Sequence, residues 1–342
     1  EVYNYSTPYV IAEIGANHNG DMDLAKAMIL SAKEAGADCV KFQSWTPQSL
    51  IAKEEYDRNQ VYNDSKKKHF GSLQEMVKKY ALTDDQHREL KTFCDKNDIE
   101  FASSPFSKKE ADLLNEIGVS FFKIASMDIN YIDFIKHVAS YQKPIILSTG
   151  MSTLSEIESA VEACYSVGND KVILLHCISI YPPEYKDIHL NNISTLQTVF
   201  DLPVGFSDHT IGTAIPLASV ALGSCLIEKH FTLDKDLPGW DHEISANPEE
   251  LKVICSESKN IAEALGSKKR IVSEAEENKK DKFRRSLVIS RALKKGHVIT
   301  SEDLTAKRPG TQIPPNEIDF VIGRKLNIDM EEDSLLRWEN LN

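Results

Sequence analysis

Two lysines interrupt short apolar segments of the sequence in the same way: the tripeptide Val-Lys-Phe contains Lys41, and the tripeptide Phe-Lys-Ile contains Lys123. An unpaired charge among apolar side chains is costly, so each ammonium group requires a negatively charged partner. We interpret that partner as a bound anion. A buried ion pair with Glu13 or Glu228 is the alternative, and a Schiff-base lysine is a third interpretation.

Two histidines, His209 and His230, lie near the ends of two successive apolar segments at matching positions. A pair of imidazoles with a nearby carboxylate suits a divalent transition metal such as Mn²⁺, Co²⁺ or Zn²⁺. Core packing or acid–base chemistry would explain the pair equally well if it stood alone. Together with two lysines and a carboxylate, the pair indicates a Lewis acid that polarises a carbonyl group. The other histidines are secondary candidates at the mouth of the predicted site (His18, His176 and His242) or are expected to be solvated (His69, His87, His137, His189 and His297).

The segments that carry these residues alternate with helical patterns from residue 9 to about residue 266. Eight apolar runs are predicted strands: residues 9–17, 39–44, 100–106, 121–126, 144–150, 171–179, 203–209 and 225–231. Such alternation predicts parallel strands with right-handed crossovers. Eight units in this length predict a (β/α)8 TIM barrel, whose usual size is about 250 residues. An open doubly wound sheet is the alternative, but no Gly-x-Gly-x-x-Gly follows the first strand.

Polar side chains occur near the C-terminal end of nearly every predicted strand. A strand that fills a packed barrel should be apolar, and active sites of barrel enzymes lie at this end of the strands. We therefore predict that these side chains surround one site. They are Glu13, Lys41, Gln43, Ser104, Lys123, Ser126, Ser148, Ser179, Tyr181, Ser207, His209 and His230, with Asp241 on a loop after the eighth strand.

Composition divides the 342 residues into a barrel domain (1–266), a charged linker (267–285) and a small β-rich module (286–342). The module is predicted from its short apolar runs and tight turns. Residues 45–83 are too long for a simple connection between a strand and a helix, and we predict that they form a lid or binding loop.

Charge and composition narrow the possible partners. The net charge of −12, from 40 basic and 52 acidic residues, argues against nucleic acid. No apolar run reaches the length of a membrane span, and the N-terminus lacks the basic and apolar parts of a signal peptide. Six scattered cysteines without a Cys-x-x-Cys pair predict buried, reduced thiols in a cytoplasmic protein.

The motifs around these residues resemble those of the sialic acid synthases, the phosphoenolpyruvate-dependent nonulosonate synthases. They are Ile-Ala-Glu-Ile-Gly-Ala-Asn-His-Asn-Gly (11–20), Val-Lys-Phe-Gln (40–43), Ser-Ser-Pro-Phe (103–106), Phe-Lys-Ile-Ala-Ser (122–126), Leu-Ser-Thr-Gly-Met (147–151), Leu-His-Cys (175–177), Phe-Ser-Asp-His-Thr (206–210) and Ile-Glu-Lys-His-Phe-Thr (227–232). The tail, with Lys-Arg-Pro-Gly (307–310), is similar to the antifreeze-like (SAF) domain. The resemblance spans essentially the whole chain in order.

The resemblance implies a role for each of these residues. His209 and His230 would hold Mn²⁺, with Mg²⁺ or Co²⁺ as alternatives, and Glu13 would act near the reacting carbons. Arg308 would reach the barrel mouth of the other subunit in a domain-swapped homodimer. Phosphoenolpyruvate would contact Lys41, Lys123, Ser104, Ser126, Ser148 and Ser207, whereas Gln43, Ser179, Tyr181 and Asp241 would lie near the metal or the sugar.

The implied reaction condenses phosphoenolpyruvate with an open-chain N-acetylated amino sugar to give a nonulosonic acid and phosphate. N-acetylmannosamine and a 2,4-diacetamido-6-deoxyhexose are both possible acceptors, because the sequence departs from the family at Met127-Asp128, Ser179 and Pro-Gly-Trp-Asp (238–241). A metal-dependent aldolase that uses pyruvate is the alternative function. It would release no phosphate.

Overall fold

The computed structural model describes residues 2–61 and 71–342 of the chain. The chain divides into two compact units, Glu1–Gly266 and Ser267–Asn342. Residues 62–70, which belong to the long segment after the second strand and include His69, lie outside the described residues.

Eight parallel strands form the first unit, in the order β3-β2-β1-β8-β7-β6-β5-β4. Neighbouring strands are paired in parallel register, for example Glu13 with Lys41 and Ser207 with Glu228. The two strands at the ends of this order, β3 and β4, also lie side by side, so the sheet is a nearly closed barrel and the predicted TIM-barrel fold is confirmed. The strands are β1 (Tyr9–Gly15), β2 (Cys39–Ser44), β3 (Glu100–Pro105), β4 (Phe122–Ile124), β5 (Ile145–Ser148), β6 (Val172–Cys177), β7 (Val204–Asp208) and β8 (Leu226–His230).

Helices connect the strands and begin where the sequence supplies capping residues. The Asp21 side chain accepts hydrogen bonds from the first backbone amides of α1, which ends at Gly36 with a positive φ. Capping boxes at Thr83, Thr153 and Asn247 start α5, α8 and α11. The helices are α1 (Met22–Ala35), α2 (Pro47–Leu50), α3 (Lys53–Arg58), α4 (Leu73–Tyr80), α5 (Asp84–Lys96), α6 (Lys108–Glu116), α7 (Ile132–Ala139), α8 (Leu154–Tyr165), α9 (Asn192–Phe200), α10 (Ala214–Ala221) and α11 (Pro248–Leu265).

The barrel interior changes from apolar to charged along its axis. Because side chains alternate between the two faces of a strand, every second residue points inward. The inward layer nearest the N-terminal strand ends is buried and largely apolar, and it includes Ile11, Ala102, Ile146 and Leu226. The next inward residues are two positions further along each strand and are polar: Glu13, Lys41, Ser104, Lys123, Ser148, Ser207 and Glu228. The outward faces pack against the helices in the main apolar core.

The second unit has a small apolar core and one antiparallel strand pair, β9 (Ser286–Ile289) with β10 (Leu304–Lys307). Three short helices belong to it, α12 (Glu274–Glu277), α13 (Lys280–Phe283) and α14 (Ile318–Val321). Isolated bridges such as Val288 to Leu335 supply the other strand-like contacts. The predicted linker, 267–285, therefore lies in this unit and carries two of its helices.

Asp303 links several parts of this unit by hydrogen bonds. Its buried carboxylate accepts hydrogen bonds from Arg291, His297 and Thr300. Burial alone would raise the pKa of Asp303, but these donors hold it well below its usual range.

All six cysteines are buried and unpaired, as predicted. Within the described ranges, no helix has the length and apolar composition that a membrane crossing requires.

Candidate active site

A pocket of about 280 Å³ lies at the C-terminal ends of the barrel strands. The structure brings together there all of the predicted site residues except Asp241 and Arg308. Those that line the pocket are Glu13, Lys41, Gln43, Ser104, Lys123, Ser126, Ser148, Ser179, Tyr181, Ser207, His209 and His230, together with Phe106, Met127, Met151, Cys177 and Glu228.

The floor of the pocket is a charge array made by two lysines and two glutamates, Lys41, Lys123, Glu13 and Glu228. Lys41 Nζ lies 2.6 Å from Glu13 Oε2 and 3.8 Å from Glu228 Oε2. Lys123 Nζ lies 3.3 Å from Glu228 Oε1. All four residues are buried. The buried ion pairs that we had treated as the alternative to a bound anion are thus present: β1 places Glu13 beside Lys41 on the neighbouring strand β2, and Glu228 on β8 meets both lysines inside the barrel.

The two glutamates differ in acidity although both are buried. Burial raises the pKa of Glu13 above its usual value, and Lys41 opposes this rise only in part. Burial would also raise the pKa of Glu228, but Lys123 and Lys41 together lower it. Burial disfavours the charged form of Lys41, yet Glu13 and Glu228 raise its pKa. Glu13 is therefore the member of the charge array that most readily accepts a proton.

Polar side chains hold the charge array in place. Gln43 donates to Glu13 Oε1 at 2.7 Å, and Ser207 donates to Glu228 Oε1 at 3.1 Å. Lys41 donates to Ser104 Oγ at 3.0 Å. In the described part of the chain, Ser148 Oγ is buried and has no hydrogen-bond partner. The pocket therefore offers an unused hydroxyl as well as two ammonium groups, which suits an anionic ligand.

The serines near the fifth strand require a glycine. The backbone amide of Gly150 donates to Ser126 Oγ at 3.1 Å. A Cβ at position 150 would lie 2.4 Å from Ser179 Oγ and 2.7 Å from Ser126 Oγ. A larger residue would therefore displace both hydroxyls from the pocket.

Two imidazoles form one wall of the pocket, with the ring centroids of His209 and His230 5.3 Å apart. His209 Nδ1 donates to the Ile178 carbonyl at 2.7 Å, so its Nε2 carries a lone pair. Tyr181 stacks on His209 at 3.9 Å. Burial lowers the pKa of His209 to about 4, and burial followed by the neighbouring His209 lowers that of His230 well below its usual value. Both rings are therefore neutral at pH 7.

The fit of this wall to a metal ion rests on the same two rings. Among the described residues, His230 Nδ1 is buried without a hydrogen bond, and Asp241 Oδ2 lies 3.6 Å from it. No group of three or more His, Cys, Asp or Glu within the described ranges has the arrangement of a metal site. The protein thus presents two neutral nitrogen donors, which fit a divalent ion that takes its remaining ligands from substrate and water.

The remaining two predicted site residues lie outside the lining. Asp241 is on the loop after β8, beside His230. Arg308 is exposed in the second unit, where its guanidinium lies 5.0 Å from the centre of the Phe283 ring.

Sequence reasoning left one residue out of the site and misjudged another near it. Glu228 was named only as a possible ion-pair partner of the lysines, which it is, but it also lines the pocket; its spacing of two from His230 on one strand was the available signal. His87 was expected to be solvated, and this was wrong: it is buried, with Nε2 2.7 Å from Ser44 Oγ. Of the secondary histidines, His176 donates to the Ile188 carbonyl and His242 bonds to Thr232, so both serve as structural residues.

A larger cavity of about 440 Å³ lies at the opposite, N-terminal ends of the strands. Its lining is mainly apolar, with Tyr9, Phe121, Ile146 and Leu226, and its charged members are Glu100, Asp170 and Lys171. A lining with two carboxylates and one lysine does not suit an anionic substrate, so the smaller pocket is the candidate site.

Ionisable side chains that converge at the C-terminal mouth of a parallel barrel define an enzyme of the TIM-barrel class that acts on a small charged molecule. The model of the NeuB family matches residues 28–270, and that of the SAF domain matches residues 284–342. The chain belongs to the NeuB family.

Named relatives match over nearly the whole chain. The N,N'-diacetyllegionaminic acid synthase of Legionella pneumophila is 40% identical, and the match covers 98% of this chain and 95% of that protein. The human N-acetylneuraminate-9-phosphate synthase is 33% identical over 97% of this chain and 92% of its own. The crystal structure of the N-acetylneuraminic acid synthetase of Leptospira borgpetersenii in complex with citrate is 35% identical, with a TM-score of 0.73, and the match covers 81% of this chain and 92% of that one.

We predict that Lys41→Met lowers the free energy of unfolding by about 3 kcal/mol at pH 8, because it leaves Glu13 buried without its cation. Without Lys41 the pKa of Glu13 rises further. A carboxyl group whose pKa is higher in the folded than in the unfolded protein destabilises the fold increasingly as pH rises above its unfolded-state pKa. The loss of stability in Lys41→Met, relative to the unaltered protein, should therefore shrink toward pH 4. Urea unfolding of both proteins between pH 4 and pH 8 measures this difference in the free energy of unfolding.

The matched control is Lys41→Met combined with Glu13→Gln, which removes both charges and should recover most of the stability at pH 8. A deficit that does not depend on pH, or a double variant less stable than Lys41→Met, would show that the ion pair does not govern this site.

Proposed function

We propose that the protein condenses phosphoenolpyruvate with an N-acetylated amino sugar to give a sialic-acid-type nonulosonic acid and phosphate. The observation that carries this proposal is the convergence of two lysines, two glutamates and two neutral imidazoles in one pocket. Membership of the NeuB family and the names of the relatives support the same reaction.

The charge array and the serines around it are proposed to bind phosphoenolpyruvate. Its carboxylate and phosphate are anions, and Lys41 and Lys123 are buried cations that can offset their desolvation. Ser104, Ser126, Ser148 and Ser207 supply hydroxyl donors. With Glu13 protonated, for which its raised pKa is favourable, the array carries a net positive charge, which favours an anion.

We propose that the wall formed by His209 and His230 holds a divalent metal, Mn²⁺ in the first instance. When bound there, the ion would polarise the aldehyde oxygen of the open-chain sugar and lower the barrier to attack on its carbon. Gln43, Ser179 and Tyr181 line the same pocket, and Asp241 lies beside His230. These four residues are proposed to orient the sugar.

In the proposed reaction, the C2=C3 electrons of phosphoenolpyruvate form the new bond from C3 to the aldehyde carbon, whose oxygen gains a proton. Water then adds at C2 and gives up a proton. Phosphate leaves by cleavage of the bond between C2 and its oxygen and takes up the proton of the new C2 hydroxyl, so that C2 becomes a ketone. Lys41 and Lys123 stabilise the charge that develops on the phosphate, and Glu13 gives or takes protons beside the reacting carbons.

We propose that the acceptor carries two acetamido groups and no phosphate. The name of the relative from Legionella pneumophila, 40% identical, describes a product with two acetyl groups, whereas the name of the human relative, 33% identical, describes a 9-phosphate. Met127 and Met151 add apolar side chains to the pocket lining, which suits acetamido methyl groups better than a second phosphate.

The test is phosphate release from phosphoenolpyruvate by metal-stripped protein, with and without added Mn²⁺. The sugars would be a 2,4-diacetamido-2,4,6-trideoxyhexose, N-acetylmannosamine and N-acetylmannosamine 6-phosphate. We expect release only when both metal and the diacetamido sugar are present.

Ser148→Ala and His209→Ala are the matched variants for this test. The first should raise the KM for phosphoenolpyruvate several-fold, and the second should abolish the response to Mn²⁺. Condensation of the sugar with pyruvate, without phosphate release, would favour the aldolase instead.

We further propose a homodimer in which Arg308 of each chain completes the barrel site of the other. Exposed apolar side chains on the loops after β4 to β7 support a covered mouth: Met127, Met151, Ile180, Tyr185 and Ile211 are each more than half exposed. Apolar side chains in such a group are typical of an interaction surface. Arg308 is exposed and carries a planar donor group that suits an acetamido oxygen or a carboxylate.

Mixing Arg308→Ala with His209→Ala protein tests this arrangement. Each mixed dimer would contain one intact site, so random subunit exchange should restore about a quarter of the unaltered activity. Mixing Arg308→Ala with the double variant Arg308→Ala/His209→Ala is the control and should restore none. No recovery after proven subunit exchange would contradict the shared site.

A further inference from the structure

The loop after β8, which carries Asp241, is closed by a hydrogen bond within itself and is bonded to the barrel. Thr232 Oγ1 near its start lies 2.6 Å from His242 Nδ1 near its end, and the Ala246 amide donates at 2.7 Å to the carbonyl of His230, the last residue of β8. Asn19 Nδ2 donates to the Pro238 carbonyl at 2.7 Å. These bonds fix the positions of the two ends of the loop. The direction in which its tip points depends on side-chain packing.

An aromatic cluster formed by Trp45, Tyr80, Phe106 and Trp240 supplies that packing. The Trp240 ring lies 6.0 Å from Trp45 and 5.9 Å from Tyr80, both edge-on. Trp45 and Tyr80 are almost completely buried, and Trp45 Nε1 donates to the Val77 carbonyl at 3.1 Å. The cluster therefore joins the loop to α4, in the segment that follows β2.

The cluster also reaches the pocket wall. Phe106 packs edge-on against Trp45 at 5.9 Å and lines the pocket itself. Trp45 and Tyr80 are not among the lining residues. A change at Tyr80 can therefore reach a substrate only through its neighbours.

Gly239 fixes the backbone just before Trp240. A Cβ at this position would lie 2.3 Å from His242 Cδ2 and 2.8 Å from Asn19 Oδ1. The Asp241 carbonyl accepts a hydrogen bond from Ser245 Oγ at 2.6 Å. Trp240 and Ser245 thus anchor the chain on the two sides of the Asp241 carboxylate, whose Oδ2 lies 3.6 Å from His230 Nδ1.

We propose that Trp240 is a positioning residue: packed into the aromatic cluster, it holds the Asp241 carboxylate where it meets a hydroxyl of the amino sugar. Trp45 and helix α4 act through this cluster as a support for the sugar side of the pocket. This inference rests on the proposed function, because it assigns Asp241 to the acceptor sugar. Two edge-on aromatic contacts and the area that Trp240 buries are sufficient to restrain one short loop.

The kinetic test is a double-mutant cycle between Trp240 and Asp241. Trp240→Ala should raise the KM for the amino sugar about tenfold and leave the KM for phosphoenolpyruvate unchanged, because the charge array is untouched. Asp241→Asn should raise the same KM. If Trp240 acts through Asp241, then adding Trp240→Ala to the Asp241→Asn variant should change the KM for the amino sugar by less than about twofold.

Companion variants separate positioning from a loss of folding. Tyr80→Leu removes the other side of the contact and should reproduce the effect of Trp240→Ala, whereas Trp240→Phe should retain most of the affinity for the sugar. Trp338→Phe, an exposed tryptophan of the second unit that stacks on Arg324, is the matched control and should change neither KM.

Amide hydrogen exchange of residues 233–246 provides a readout that requires no activity. Trp240→Ala and Tyr80→Leu should accelerate exchange in this loop and leave β1 and β8 protected. Unchanged exchange would overturn the proposal whether or not the protein turns over any sugar. Independent effects of Trp240→Ala and Asp241→Asn on the KM would also overturn it. Absence of turnover in the unaltered protein, with accelerated exchange in the variants, would instead count against the proposed function alone.

Discussion

The organisation of the site depends on ion pairs that are almost completely shielded from water. Lys41, Lys123, Glu13 and Glu228 lie at one level inside the barrel, each no more than 5% exposed. Burying such charges costs several kcal/mol per ion unless partners and hydrogen bonds compensate. The compensation comes from strands β1, β2, β4 and β8, so the geometry of the barrel and the charges of the site are not independent. Well-packed apolar residues in place of a buried ion pair are often at least as stable, which is consistent with the proposed role of these residues in binding.

The layered interior explains how an acidic protein offers an anion site. The inward residues at the bottom of the barrel are largely apolar, and those two positions further along the same strands are charged or hydroxylated. The packed core and the polar pocket are therefore only two residues apart along each strand. The two imidazoles lie at the next inward level, where burial keeps them neutral and available as donors. The loop after β8 and its aromatic cluster lie next to His230, on the side where we propose that the sugar binds.

The sequence predicted the barrel and most of the site because both follow from local periodicity. Lys41 and Lys123 could be recognised as inward-facing from their apolar neighbours alone, and the histidines from their places at strand ends. The ionic partner of each lysine could not be chosen, because it depends on which strands are adjacent and on their register. His87 was misjudged since its burial arises from the packing of α5 against β2 and β3. The Trp240 contacts join residues far apart in sequence, and no local pattern indicates them.

The central claim is that phosphoenolpyruvate reacts at C3 and loses phosphate by cleavage of the C2–O bond. Phosphoenolpyruvate labelled with ¹⁸O in the bridging position between C2 and phosphorus tests it in a single turnover experiment with metal and the accepted amino sugar. Our account predicts that the label is recovered in inorganic phosphate, measured by the isotope shift of its ³¹P resonance. Label retained at C2 of the product, with unlabelled phosphate, would show P–O cleavage followed by an aldolase-type condensation and would contradict the account.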